Sequence, residues 1–121
     1  EEANIDISTG EKVSVVGFPF GLRTAGNFPI WSTGFIATDY YLDHNDLPLF
    51  LIDSRTRKGQ SGSPVLAYRG SGAYSMEGGD FVAFAWKKIR FLGIYSGRIS
   101  KDSDLGRVWK RRVITEILEQ D

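Results

Sequence analysis

The chain reads as an all-β domain, a six- to seven-stranded antiparallel β-barrel with one C-terminal α-helix. Three observations carry this expectation. Short apolar segments, rich in β-branched and aromatic residues, recur between glycine, proline, asparagine and aspartate clusters along most of the length. Helical spacing appears at the end, where Val113, Ile114, Ile117 and Leu118 share one face and Glu116 and Glu119 lie outside it. Finally, 121 residues make one domain with room for one core. A closed barrel of short antiparallel strands buries such a core and leaves no exposed sheet edge.

The elements follow in order. Lys12 to Phe18 alternates and is valine-rich, a first strand ended by the turn Gly17-Phe18-Pro19-Phe20-Gly21. Arg23 to Phe28 is polar and reads as a loop or hairpin tip. Ile30 to Thr38 is a second strand, in which Gly34 marks a bulge or a close backbone approach. Asp43-His44-Asn45-Asp46 is a turn cluster, Pro48 to Asp53 a third strand, and Ser54 to Gly59 a polar, basic loop. Pro64 to Tyr68 is a fourth strand. Arg69 to Asp80 contains Gly70, Gly72, Gly78 and Gly79 and reads as a long surface excursion. Phe81 to Trp86 is a candidate fifth strand, Phe91 to Ser96 a strong one, and Leu105 to Trp109 the short last one. There is no internal repeat and no low-complexity linker.

Composition narrows the function classes. Apolar residues at 41% and charged residues at 25% are ordinary for a globular domain. Fifteen basic and fifteen acidic residues cancel, so bulk charge points to neither a nucleic-acid nor a membrane partner. With no cysteine there is neither a disulfide nor a thiolate metal ligand. No apolar run reaches the length of a membrane span and no signal peptide is visible. The chain opens Glu1-Glu2-Ala3-Asn4 and its only methionine is Met76, a start expected of a piece of a longer protein.

Chemistry is concentrated in Gly59-Gln60-Ser61-Gly62-Ser63-Pro64-Val65. A serine flanked by glycines between two strands is a form in which hydrolases present a nucleophile. The alternative for these residues alone is a glycine-rich hairpin with a solvated serine.

Several blocks together resemble a known family. Gly10 to Leu22 (Gly-Glu-Lys-Val-Ser-Val-Val-Gly-Phe-Pro-Phe-Gly-Leu) looks like the strand and turn that open the second barrel of HtrA-type proteases, and Ser32-Thr33-Gly34-Phe35-Ile36-Ala37 resembles their next strand. Asp53 lies eight residues before Ser61, where that family has an aspartate. The Gly-x-Ser-Gly-Ser-Pro-Val form is similar to the glutamyl endopeptidases of the same chymotrypsin-like (PA) clan. Gly93-Ile94-Tyr95-Ser96-Gly97 resembles the substrate-binding strand, and Leu105-Gly106-Arg107-Val108-Trp109 with the helix resembles the closing elements.

The resemblance implies that residues 1–121 are the C-terminal barrel of a trypsin-like serine protease domain, half of a two-barrel fold. Ser61 would attack a peptide carbonyl, with the oxyanion held by the backbone N–H groups of Gly59 and Ser61. Gly62 would relieve crowding behind the nucleophile. Ser96, Gly97 and Arg98 would pair with an extended peptide or protein substrate. Arg55, Arg57, Lys58 and Arg98 would form a cationic rim favouring an acidic side chain at the cleavage site. No cofactor and no metal are called for.

Two departures from the pattern stand out. Gln60 replaces the usual aspartate or asparagine, so activation through an ion pair with a freed amino terminus is not expected, and the packing of the turn is in question. Ser63 replaces glycine, as the glutamyl endopeptidase pattern allows.

The base is missing. In this clan the catalytic histidine and aspartate come from an N-terminal barrel absent from this chain. The one histidine, His44, lies in a turn and reads as a surface residue. His44, Asp43 and Asp46 have metal-ligand chemistry but are spaced too closely for more than a turn signature. The chain alone is therefore expected to be inactive, and its parent to be an endopeptidase. The alternative is a non-catalytic pseudo-protease barrel that binds peptides or a partner protein. A third expectation is self-association through the face that the first barrel would cover.

Overall fold

The computed structural model describes residues 5–17, 30–55, 60–69, 72–75, 81–84, 88–100 and 102–119. Eight strands precede one helix: β1 (Lys12–Gly17), β2 (Ile30–Ile36), β3 (Leu49–Ser54), β4 (Pro64–Arg69), β5 (Gly72–Ser75), β6 (Phe81–Phe84), β7 (Lys88–Arg98), β8 (Leu105–Lys110) and α1 (Arg111–Glu119). Six of them form a closed antiparallel barrel in the order β1-β2-β3-β8-β7-β4. The all-β barrel with its C-terminal helix is as the sequence predicts.

Alternation along the strands places one set of side chains inside. Val13 and Val15 from β1, Ile36 from β2, Phe50 and Ile52 from β3, Val65 and Ala67 from β4, Leu92 and Tyr95 from β7, and Val108 from β8 form the core, joined by Ile7. All are essentially excluded from solvent. Each large apolar side chain removed from water contributes about 1.5–3 kcal/mol. Gly34 on β2 makes the close approach expected of it, since a Cβ there would lie 2.6 Å from the Asp53 carbonyl oxygen and from Ser54 Cβ.

Three details differ from the sequence reading. The excursion after β4 contains β5, which pairs with β6 (Tyr74 opposite Val82) in a separate two-stranded sheet, so Phe81–Phe84 is not a barrel strand. Second, β7 is 11 residues long, well beyond the expected Phe91–Ser96. It carries two register shifts, against β4 between Val65 and Leu66 and against β8 between Tyr95 and Gly97. The first of these, where Leu92 is the extra residue, flips the inward side of the strand, so Leu92 and Tyr95 both point into the core although three residues apart; the second lies beyond Tyr95. Third, α1 forms as expected but buries no residue, and Ile117 and Leu118 are exposed. The expected loop at Arg23–Phe28 lies outside the described residues.

One end of the barrel is closed by cations. The buried Arg69 donates to the carbonyls of Lys12 and Tyr68 and pairs with Glu11 at 3.1 Å. Arg90 donates to the Ile5 carbonyl at 2.7 Å and lies over the Tyr40 ring. Lys110, also buried, donates to the Leu42 carbonyl and to Asp43 at 3.0 Å. Buried charges of this kind persist only when hydrogen-bonded and paired. Asp43 also accepts from Arg112 at 2.6 Å. Hydrogen bonds from Lys110 and then Arg112 hold its carboxyl below the ordinary value of 3.8. A lowered folded-state pKa gives stability that is complete above the unfolded value and lost as pH falls through the folded one. The stability gap between the wild type and Asp43→Asn is therefore expected to be constant near neutrality and to close below about pH 4, which denaturant midpoints across pH 2–7 would show.

Candidate functional site

Ser61 sits at the opposite end of the barrel, in a turn entering β4. Its residue is exposed and its hydroxyl makes no hydrogen bond among the described residues. The turn around it is tied down. The Ser63 N–H donates to the Gln60 carbonyl at 3.0 Å, closing the turn. The Gly62 N–H donates to the Tyr95 carbonyl at 2.7 Å, and the Tyr95 N–H returns a bond to the Ser63 carbonyl at 2.9 Å. These two bonds dock the serine turn on the C-terminal half of β7. Gly62 has φ +90, a region that favours glycine, and a Cβ there would meet nothing within 4 Å. Its role is thus backbone conformation, not the relief of crowding expected from the sequence.

Docking brings Ser61 to the expected substrate-binding strand. A Cβ at Gly97 would lie 3.4 Å from Ser61 Oγ, and Gly97 has φ +104. The edge beside the hydroxyl is therefore left open by the missing side chain. Ser96 occupies the bulge between Tyr95 and Gly97, and Arg98 pairs with Gly106. Ser61 and the strand segment Ser96, Gly97 and Arg98 lie at the same end of the barrel. Gly59, Arg57 and Lys58 lie outside the described residues.

Arg55 follows β3 at the same end. It lines a recess of about 370 Å³ with Thr33, Phe35, Asp53, Ser54 and Asp104. Two carboxylates accompany its guanidinium there, so the described part of the rim is mixed in charge and not simply cationic. The buried Ser54 Oγ has no hydrogen-bond partner among the described residues.

Gln60 resolves the question raised by its departure from the family pattern. Its residue is fully buried, and Nε2 donates to Ser32 Oγ on β2 at 3.1 Å. The side chain joins the serine turn, which enters β4, to β2 on the far side of β1. A neutral amide tolerates this burial without a counter-charge, which a carboxylate could not. Gln60→Ala leaves a cavity and deprives the Ser32 hydroxyl of its donor, and is expected to cost about 2 kcal/mol in a urea midpoint.

His44 is in a turn, as expected, with Asn45 and Asp46 at φ 52 and 61 completing it. It is bridged to Leu47 and is half-buried, so it is not a fully solvated surface residue. No group of three or more metal-ligating side chains converges among the described residues.

Sequence reading missed the apolar recess that His44 lines on the barrel's outer wall. The signal was present in Leu49-Phe50-Leu51-Ile52, an unbroken apolar run of the kind that marks a strand buried on both faces.

Compared with protein-family models, curated proteins and solved structures, the chain matches none. What Ser61 can do therefore follows from its own surroundings. A hydroxyl in a fixed turn, exposed beside an open strand edge, can attack a bound carbonyl once a base removes its proton.

Proposed function

We propose that this chain is the nucleophile-bearing barrel of a chymotrypsin-like serine endopeptidase, similar to HtrA-type proteases and glutamyl endopeptidases. The observation that carries the reading is the docking of the exposed Ser61 turn on β7, through the Gly62 and Tyr95 amides, with side-chain-free Gly97 beside Ser61 Oγ. A substrate strand lying along Ser96, Gly97 and Arg98 brings its scissile carbonyl to that oxygen. A first barrel, outside this chain, supplies the histidine that takes the Ser61 proton and returns it to the leaving amine, and the aspartate that orients it. The developing oxyanion is met by the backbone N–H groups of Ser61 and Gly59. The exposed Trp31, Phe35 and Ile89 on the outer wall support a covering partner, a role that the first barrel or a second copy of this chain would fill.

A fluorophosphonate probe on the protein containing both barrels tests the reading. Covalent labelling at Ser61, lost in Ser61→Ala, is the expected result. Unlabelled, folded two-barrel protein would reject it.

A second reading is favoured by one observation: the buried Gln60, bonded to Ser32, stands beside Ser61 where the family pattern has aspartate or asparagine. In that case the barrel is a pseudo-protease that holds peptides or a partner protein along β7. Peptide binding without probe labelling distinguishes it.

A further inference from the structure

The recess on the outer wall has a chemistry of its own. Its floor is Leu49 and Leu51, the outward-facing residues of β3, which are only 2% and 5% exposed although they face away from the core. Its walls are Leu47 and Ile99, at 47% and 45% exposure. The volume is about 300 Å³, enough for a single large aliphatic or aromatic side chain. The floor supplies contacts for an inserted group, and the surface that gains by covering is that of Leu47 and Ile99.

The rim is polar and has no carboxylate among the described residues. Arg107 and His44 line the recess with Asn45. Arg107 stands directly across from Leu51 in the β3–β8 ladder. Its Nη2 donates to the Arg98 carbonyl at 3.3 Å, and no carboxylate pairs with it among the described residues. The imidazole of His44 likewise makes no hydrogen bond or ion pair among the described residues. The turn that carries His44 is held in place, because the His44 N–H donates to the Leu49 carbonyl at 3.2 Å and the Leu47 N–H to the His44 carbonyl at 3.0 Å. An apolar floor thus lies beside a guanidinium that no described carboxylate neutralises.

We propose that this recess binds the C-terminal residue of a peptide, with its apolar side chain on Leu49 and Leu51 and its free α-carboxylate on Arg107. The choice follows from the two demands of the site. The floor requires an apolar group and the rim an anion, and both lie within one small recess. A C-terminal leucine or phenylalanine carries the side chain and the carboxylate on the same Cα, whereas an internal acidic residue supplies the charge without the apolar group. Arg107 offers the planar donor pair that suits a carboxylate. The site is separate from Ser61 and stands whether or not Ser61 is a nucleophile. It is nonetheless coupled to the same strand, because Arg107 pairs with Gly97 in the β7–β8 ladder.

The test is an amide-resolved NMR titration of this chain with acetyl-Ala-Ala-Leu bearing a free carboxylate, and with the same peptide amidated. The acid is expected to shift the amides of Leu49, Leu51, Ile99 and Arg107 and to bind about tenfold more tightly than the amide, the discrimination of one charge-assisted contact. Arg107→Gln should reduce the acid to the affinity of the amide, and Arg107→Lys should restore part of the difference. Leu47→Ser with Ile99→Ser should weaken both peptides. Unchanged chemical-shift dispersion outside the recess confirms that each variant is folded. Equal binding of acid and amide, shifts confined to other residues, or an acid preference that survives Arg107→Gln would each overturn the proposal.

Discussion

If the chain is the nucleophile-bearing barrel proposed above, Ser61→Ala in a protein that joins it to a first barrel is expected to lower kcat/KM for a peptide substrate by roughly 10⁴- to 10⁶-fold while leaving stability within about 0.5 kcal/mol of wild type. The two halves of this expectation have different physical origins. The Ser61 hydroxyl is exposed and hydrogen-bonds to no described residue, so deleting it strands no buried partner. The turn is held by the backbone groups of Gly62, Ser63 and Tyr95 and by the Gln60 side chain, all of which remain. On that proposal only the attacking oxygen is lost, and residual turnover would come from substrate positioning and oxyanion stabilisation. Steady-state kinetics paired with a urea midpoint would decide it. Activity within tenfold of wild type would show that another group attacks, and a stability loss above about 2 kcal/mol would show that the serine is structural.

The largest effect on stability is expected at Gly93. This residue lies opposite Lys110 in the β7–β8 ladder and opposite Val65 in the β4–β7 ladder, between the two register shifts of β7. A Cβ there would drive into the Trp109 carbonyl oxygen and lie 2.9 Å from the Trp109 carbonyl carbon and 3.2 Å from Lys110 Cα. These are backbone atoms of a neighbouring barrel strand, so relief requires moving β8. A shift there disturbs Lys110, which caps the cationic end, and Val108, which is in the core. Gly93→Ala is therefore expected to cost at least about 4 kcal/mol, enough to unfold a domain of ordinary stability. Circular dichroism and NMR dispersion of the purified variant would show it. A folded Gly93→Ala protein within about 1 kcal/mol of wild type would mean that the two strands are less closely apposed than described.

The legible parts of the molecule are those governed by local chemistry. The β-branched alternation of β1, the turn at Asp43–Asp46, and the glycine-flanked serine between two strands are each set by neighbouring residues in the chain. So was the helix, whose period is written in Val113, Ile114, Ile117 and Leu118. The nearness of Ser61 to Gly97 came from resemblance, because no local rule connects residues so far apart in sequence. The length of β7 was missed since its bulges break the two-residue alternation, and Leu92 and Tyr95 then fall out of phase. The β5–β6 hairpin was missed because glycine-rich segments have weak strand propensity and form strands by pairing.

Gln60 shows the same division at a single residue. Beside Ser61 it is a departure from a pattern whose consequence is open. In the fold it is a fully buried amide that reaches Ser32, 28 residues earlier in the chain. His44 and Arg107 are similar: a turn residue and a strand residue in the sequence, they become two edges of one recess only when β3 and β8 lie side by side.

The sequence by itself determined that this chain makes short antiparallel strands, ends in a helix, and presents Ser61 between Gly59 and Gly62, because periodicity and backbone permissiveness are properties of neighbouring residues. Tertiary structure alone decided that six of those strands close into a barrel, that Gln60 joins the serine turn to β2, and that β7 carries the turn. Those outcomes depend on which distant carbonyls, amides and side chains meet, and barrel closure is what brings them within hydrogen-bonding range.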